Sequence, residues 1–244
     1  MKWISVIAIA ALIAGSCSQN SSDKPLLTEP TGQVEAATPA ASTPAPSIEG
    51  IPAGDYKLDP AHSTLLFRVN HLSFSNFTMW FDDFSADLKL DPANPAAATL
   101  SASVDPASLQ IHKPPAGFRE NVVGKELLDS AQFPAIAFKS TAIKITGPNT
   151  ADVTGDLTLH GVTKPITLQI TYNGGYAGHV YEPMARIGFS GHGSFRRSDF
   201  NMGYGVPQPG STMGVFDDVE VILESEWTGP VWKGAPPGPP PAPQ

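Results

Sequence analysis

Six histidines are the side chains of this 244-residue sequence best suited to acid–base or metal chemistry. No two of them have the i, i+4 spacing of a helical metal site or the alternate spacing of a strand site. The one cysteine, Cys17, contributes to no zinc-type signature. The spacing therefore predicts no metal site. The six are His62, His71, His112, His160, His179 and His192.

Signals for hydrolytic chemistry are equally weak. The sequence contains no Gly-x-Ser-x-Gly element, and the glycines and serine of segment 191–194 lack that spacing. The carboxylates of Asp82-Asp83 and Asp217-Asp218 are adjacent in sequence, so on a strand they point to opposite faces and do not share a proton. We interpret both pairs as solvated turn residues and assign no catalytic residue.

The pair Arg196-Arg197 has two alternative interpretations. Guanidinium groups suit the geometry of phosphate, so the pair could receive an anion. Asp199 follows closely, so a local ion pair explains the same residues equally well. Both interpretations stay open on the sequence alone.

The charge of the chain excludes one class of partner. The formal net charge is −8, and no stripe of lysine and arginine interrupts it. A nucleic-acid partner needs such a stripe, so none is expected. A single cysteine also cannot form an internal disulfide, so the stability must come from a packed or ligand-filled interior.

Both ends of the chain are expected to lie outside the folded domain. Residues 1–17 combine Lys2, an apolar run and small residues before Cys17, as in a bacterial lipoprotein signal. Acylation of Cys17 would anchor the protein to a membrane; ordinary cleavage after Ser16 is the alternative. Ser18 favours an exported, periplasmic protein anchored to the outer membrane. Residues 18–50 are expected to form a disordered linker and residues 230–244 a proline-rich disordered tail, which leaves residues 51–229 as the domain.

The clearest structural pattern lies between Asp152 and Lys164. Val153, Leu157 and Leu159 fall on one side of an extended chain, and the polar residues between them fall on the other. Gly161 breaks this pattern, and a second alternation starts at Ile166. The segment therefore predicts a β-hairpin. His160 is out of phase with the apolar face, so we interpret it as a residue that fixes the turn.

The rest of the domain repeats one-sided strands. Leu65, Phe67, Val69 and His71 share one face, and an aromatic-rich segment follows at 74–84. Only residues 118–130 have a spacing nearer four, which predicts one or two short helical turns. About eight strand candidates, mostly adjacent in sequence, favour an all-β, closed antiparallel barrel, with a β-sandwich as the alternative.

Five motifs follow one another between Tyr56 and Trp227, namely segments 58–63 (LDPAHS), 67–72 (FRVNHL), 133–141 (FP, then FKST), 153–164 (VTGDLTLHGVTK) and 197–200 (RSDF). In this order they resemble the YceI family of bacterial exported proteins. The resemblance implies a lipocalin-like barrel whose apolar lumen holds a polyisoprenoid chain, such as an isoprenyl diphosphate or an isoprenoid quinone, as ligand rather than cofactor. Two departures from the family pattern are expected to reshape the lumen mouth: Glu120 with Leu127-Leu128, and segment 78–81 in place of a glycine-containing turn.

The resemblance and the strand faces together give a set of candidate site residues. His71 and Arg197 are expected near the polar head of the lipid. The lining is expected to comprise Leu65, Phe67, Val69, Phe138, Leu157 and Leu159.

Non-enzymatic binding or carriage of an isoprenoid lipid is the first functional hypothesis. An envelope enzyme that uses His71 and His160 as acid and base on a quinone or lipid head group is the second. A structural lipoprotein with an incidental cavity is the third. A homodimer stays open as an assembly.

Overall fold

The alternating segments form ten antiparallel β-strands in the computed structural model, which describes residues 47–232. The predicted signal sequence, Cys17, most of the linker and nearly all of the proline-rich tail lie outside the described residues. The strands are β1 (Gly54–His71), β2 (Ser75–Phe81), β3 (Phe84–Leu90), β4 (Thr99–Val104), β5 (Leu109–Ile111), β6 (Ile136–Ile145), β7 (Thr150–Leu159), β8 (Val162–Tyr176), β9 (Met184–Arg196) and β10 (Val215–Val231).

Helical structure in this part of the chain is short. The predicted helical turns at 118–130 contain α1 (Phe118–Val123), which ends where Gly124 caps it. Three 3₁₀ helices connect strands, at Pro95–Ala97, Pro106–Ser108 and Arg197–Phe200. No helix within residues 47–232 has both the length and the apolar composition to cross a membrane.

Closure of the sheet is achieved by pairing the first and last strands. The ring runs β1-β3-β4-β6-β7-β8-β9-β10 and returns to β1. Leu65 pairs with Leu223 and Val69 with Val219 across that closing contact. The predicted closed antiparallel barrel of about eight strands is confirmed. The sandwich alternative is wrong, because one continuous hydrogen-bonded ring replaces two separate sheets.

β1 pairs with β10 along one edge and with two strands, β3 and β2, along its other edge. Its first residues, 54–57, pair with β3, whereas residues 65–71 pair with β2. β2 then carries the three-residue β5. β2 and β5 therefore extend the wall of the barrel at one end without being part of the ring.

The hairpin predicted at 152–164 consists of β7, a two-residue turn and β8. His160 and Gly161 have φ values of 49° and 73°, and Leu159 pairs with Val162. Positive φ at both central residues is the tight turn whose twist matches that of paired strands. The Nδ1–H of His160 donates to the Phe200 carbonyl oxygen over 3.1 Å, which fastens the turn to the 3₁₀ helix after β9.

The two ends of the barrel are filled differently. At one end, which we call the closed end, aromatic and branched side chains pack into a solid plug that includes Tyr56, Tyr172, Ile187 and Trp227. Tyr56 is fully buried and donates its hydroxyl to the Pro52 carbonyl oxygen. β1 begins and β10 ends at this closed end. The other end surrounds an open space.

Gly155 makes room for an aromatic ring inside the barrel. A Cβ placed at this position would lie 2.4 Å from Cζ of Phe138 and 2.6 Å from the carbonyl oxygen of Lys139. The phenyl ring therefore crosses β7 where no side chain stands, because any side chain there would overlap with backbone as well as ring.

We expect Gly155→Ala to lower the free energy of unfolding by about 1–3 kcal/mol, the usual cost of forcing an extra methyl group into a packed interior. Urea denaturation of both proteins measures the difference. Gly188→Ala is the matched control on β9, because its nearest heavy atom would be 3.8 Å away. Equal effects at the two glycines would contradict the role given to Phe138.

A charged network lies on the outside, where β1 bulges after Asp59. Asp59 accepts hydrogen bonds from Arg186 over 2.6 Å and from His62 over 3.0 Å. Arg186 also donates to Glu182 over 2.7 Å, so one guanidinium joins β1 to the loop before β9. The hydrogen bond from Arg186, followed by that from His62, lowers the pKa of Asp59 to about 2.

We expect the stability contributed by this network to be complete above the ordinary pKa of Asp59, 3.8, and to be lost as the pH falls through about 2. The gap in melting temperature between wild type and Arg186→Gln should thus be constant above about pH 5 and narrow between about pH 4 and 2. Arg196→Gln is the control, because Arg196 is exposed and 4.0 Å from Asp218. A gap that is independent of pH would refute the linkage.

Candidate ligand-binding cavity

The open space within the barrel is a cavity of about 620 Å³. Its wall is almost entirely apolar and comes from strands all around the ring, from β2 and from α1. Ligand sites in proteins typically measure about 300–1,000 Å³ and present few polar groups. In size and chemistry the cavity therefore fits one elongated apolar ligand.

All six residues predicted to line the lumen lie on this wall. Leu65, Phe67 and Val69 come from β1, Phe138 comes from β6, and Leu157 and Leu159 come from β7. The structure brings three strands together around one space, as the alternation along each strand required. That these side chains contact a lipid stays a prediction.

The sequence reasoning missed a part of the wall that β2 supplies. Met79 and Phe81 line the cavity, and Phe81 stacks on Phe67 with 5.1 Å between ring centroids. Segment 78–81, which stands in place of the family's glycine-containing turn, pairs with β1 as a strand. The alternation of Phe77, Met79 and Phe81 was the signal that could have placed it.

A further part of the wall comes from the short helix and the turns after it. Phe118, Val122, Leu127 and Leu128 all border the cavity. Both departures from the family pattern therefore contribute to the cavity wall, segment 78–81 through Met79 and Phe81 and the other through Leu127-Leu128. The spacing of these residues predicts helical turns but gives no direction in space, so only the tertiary structure could locate them.

The exposed residues of the cavity wall that lie away from the closed end include Pro115, Tyr204 and Gly205. We place the opening there and call segments 72–74, 112–117 and 201–214 together the mouth rim, because the second and third segments contain these residues and the first is hydrogen-bonded to the third through Leu72 and Gly214. His71 is exposed at the end of β1 and borders the cavity beside this rim. Its position is compatible with the predicted contact to a polar head, which stays a prediction.

Arg197 is buried beneath the mouth rim. Its Nε donates to the Phe216 carbonyl oxygen (3.1 Å), Nη1 to those of Met202 (2.6 Å) and Tyr204 (2.7 Å), and Nη2 to that of Val215 (2.8 Å). These bonds connect the two ends of segment 201–214 to one side chain. Burial lowers the pKa of the guanidinium.

The structure contradicts one interpretation of the arginine pair, the local ion pair with Asp199, and leaves anion binding as a prediction. Asp199 pairs with Lys164 over 3.1 Å rather than with either arginine, and Arg196 points toward Asp218. Asp217, interpreted as a solvated turn residue, lies in β10 and accepts two hydrogen bonds from Ser198. Of the five N–H groups of Arg197, four are used by carbonyl oxygens, which leaves one for the lipid head proposed from the sequence.

The two histidines of the enzyme alternative have different surroundings. His71 borders the cavity, whereas the ring of His160 packs edge-on against Phe133 at 4.9 Å and is not part of the cavity wall. Within residues 47–232, no three histidine, cysteine, aspartate or glutamate side chains lie close enough together to hold a metal ion.

We expect Arg197→Lys to cost at least about 3 kcal/mol of unfolding free energy, because hydrogen bonds to a charged donor contribute about 1.5–3 kcal/mol each and an ammonium group cannot reach four carbonyls. Proteolytic cleavage within residues 201–214 should accelerate in the same variant. Arg196→Lys, one residue away and exposed, is the control for both measurements. Wild-type stability in Arg197→Lys would show that these carbonyls do not need the guanidinium.

Known proteins share both the sequence and the fold. The sequence matches the YceI-like domain family over residues 56–227. A UPF0312 protein of Pseudomonas savastanoi pv. phaseolicola is 37% identical over 169 residues, which cover 68% of this chain and 83% of that protein.

Solved protein structures also resemble this chain in fold. BcnA of Burkholderia cenocepacia is 27% identical with a TM-score of 0.58, covering 69% of this chain and 98% of BcnA. A polyisoprenoid-binding domain from Saccharophagus degradans is 17% identical with a TM-score of 0.53, covering 72% of this chain and 98% of that domain, a likeness of fold alone. Because the family match spans the whole barrel from β1 to β10, the chain belongs to the YceI-like family.

Proposed function

We propose that this protein binds an isoprenoid lipid in the barrel cavity and carries it, without chemical conversion, in the bacterial cell envelope. The observation that carries the proposal is the cavity of about 620 Å³ with a nearly continuous apolar wall. A polyprenyl diphosphate or an isoprenoid quinone has the long apolar chain that such a wall accommodates. A polar head would then lie near His71 at the mouth.

Burial of the chain alone supplies enough affinity for a carrier. Each Å² of apolar surface removed from water contributes about 25 cal/mol, so a prenyl chain that buries a few hundred Å² gains several kcal/mol. Aromatic rings on the wall, including the stacked Phe67 and Phe81, give the chain broad flat surfaces to contact. No covalent or metal-mediated step is needed to retain such a ligand.

The surroundings of the polar residues support binding rather than catalysis. Ser85, Asn121, His71 and Arg197 are polar members of the cavity wall. The guanidinium of Arg197 is occupied by backbone carbonyls, and His160, the proposed partner of His71, hydrogen-bonds with Phe200 instead. The enzyme alternative needs His71 and His160 within reach of one substrate atom, whereas His160 is not part of the cavity wall.

Relatives support the choice of ligand class. The Saccharophagus degradans domain with the same fold is a polyisoprenoid-binding domain. The envelope location rests on the predicted export signal and on acylation of Cys17, with the outer membrane as the proposed site of anchoring. Retention of a water-insoluble lipid in a closed barrel suits a compartment that lies between two membranes.

The test is native mass spectrometry of the full chain purified from membranes, with identification of the released lipid. We expect the wild type to carry one prenyl lipid. Phe67→Glu should carry none, because a carboxylate on the wall would have to be buried against the chain. Protein that is consistently empty, and that does not take up prenyl lipids in titration, would overturn the proposal.

Gln169→Glu is the matched control, because it adds the same charge at an exposed position of β8. It should retain the lipid. A melting curve shows whether Phe67→Glu is folded, and Phe67→Leu keeps the wall apolar if the charged variant is not. Wild-type lipid occupancy in a folded Phe67→Glu would show that this wall does not contact the chain.

A further inference from the structure

Large apolar side chains are exposed around the cavity mouth. Phe74, Tyr204 and Met213 have 83%, 69% and 76% of their surface accessible. Phe74 belongs to the turn between β1 and β2, and the other two belong to segment 201–214. Isolated exposed apolar residues are ordinary, but three at one opening of an apolar cavity form a patch that suggests a partner.

Hydrogen bonds hold these segments together as one surface. The N–H of Leu72 donates to the Gly214 carbonyl oxygen (3.1 Å), and the N–H of Val215 donates to that of Gly205 (3.1 Å). Arg197 fixes the carbonyls at both ends of segment 201–214 from below. Tyr204 and Gly205 also border the cavity, so the exposed patch is continuous with the cavity wall.

The charge of the mouth rim differs from that of the rest of the chain. No acidic residue occurs in residues 72–74, 112–117 or 201–214, although the whole chain carries a net charge of −8. His112 and Lys113 are exposed in the rim. The flanking carboxylates of Asp199 and Asp217 are engaged by Lys164 and Ser198. The rim is therefore neutral to positive and apolar.

We propose that the mouth rim docks on the surface of a lipid bilayer that contains anionic phospholipid. Phe74, Tyr204 and Met213 would enter the boundary between head groups and acyl chains, and Lys113 would lie at the anionic head groups. This inference rests on the proposed function, because docking at the mouth lets an apolar chain pass between bilayer and cavity without crossing water.

A dye that reports local polarity tests the docking itself. The full chain carrying Cys17→Ser is labelled with a nitrobenzoxadiazole dye at Thr212→Cys in the rim, or at Ala96→Cys near the closed end; both positions are exposed. Vesicles of phosphatidylethanolamine and phosphatidylglycerol are then added. We expect blue-shifted, stronger emission at position 212 and no change at position 96. No change at 212, or equal changes at both positions, would overturn the proposal.

A second measurement tests whether the rim serves lipid transfer. In Phe74→Ser/Met213→Ser we expect uptake of a fluorescent prenyl lipid from the same vesicles to slow at least about tenfold, because two apolar side chains no longer enter the bilayer. Binding of that lipid from detergent micelles should be unchanged, since neither residue lines the cavity. Val180→Ser/Tyr181→Ser, which removes two exposed apolar side chains near the closed end, is the control.

The two proposals fail in different ways. A wild type that binds no prenyl lipid from micelles contradicts the proposed function, whereas the dye at position 212 still reports docking. A wild type that binds the lipid but takes it up from vesicles at the same rate as Phe74→Ser/Met213→Ser contradicts the docking role of the rim.

Discussion

The pairing of β1 with β10 is the constraint on which the rest of this structure depends. It turns a row of eight strands into a ring and thereby gives every strand an inner and an outer face. An eight-stranded ring encloses little more space than its own side chains fill, so small changes in side-chain volume decide whether a given level is solid or hollow. Within residues 47–232 no disulfide is available to brace the ring, since Cys17 lies outside them.

Side-chain volume along the barrel axis creates the cavity. At the closed end, Tyr56, Tyr172 and Trp227 meet across the interior and leave no room for a ligand. Toward the mouth, leucine, valine and phenylalanine side chains line the wall and leave a space of about 620 Å³ between them. Gly155 makes room for a large ring at one position, because its missing side chain lets Phe138 lie across β7. The fold and the cavity are therefore two results of one distribution of residue sizes.

Much of the fold could be predicted because each strand carries its own signal. The alternation of Val153, Leu157 and Leu159 locates the inner face of β7 without knowledge of any partner, and the same holds for residues 65–69 of β1. Closure needed more than periodicity, which does not distinguish a barrel from a sandwich; the number and adjacency of the strands favoured the barrel.

The parts that escaped sequence reasoning depend on contacts between segments distant in the chain. The sequence offers an anion or Asp199 as the partner of Arg197, yet its hydrogen-bond partners are carbonyl groups as far along the chain as Phe216. Backbone carbonyls leave no trace in a sequence pattern. The helical turns around Val122 have a recognisable spacing, but their position over the cavity is set by packing against β2 and β5.

The first residue of β1 and the last residue of β10 both lie at the closed end, opposite the mouth rim. A support or fusion partner joined directly at either of these positions would therefore contact the closed end and leave the opening free.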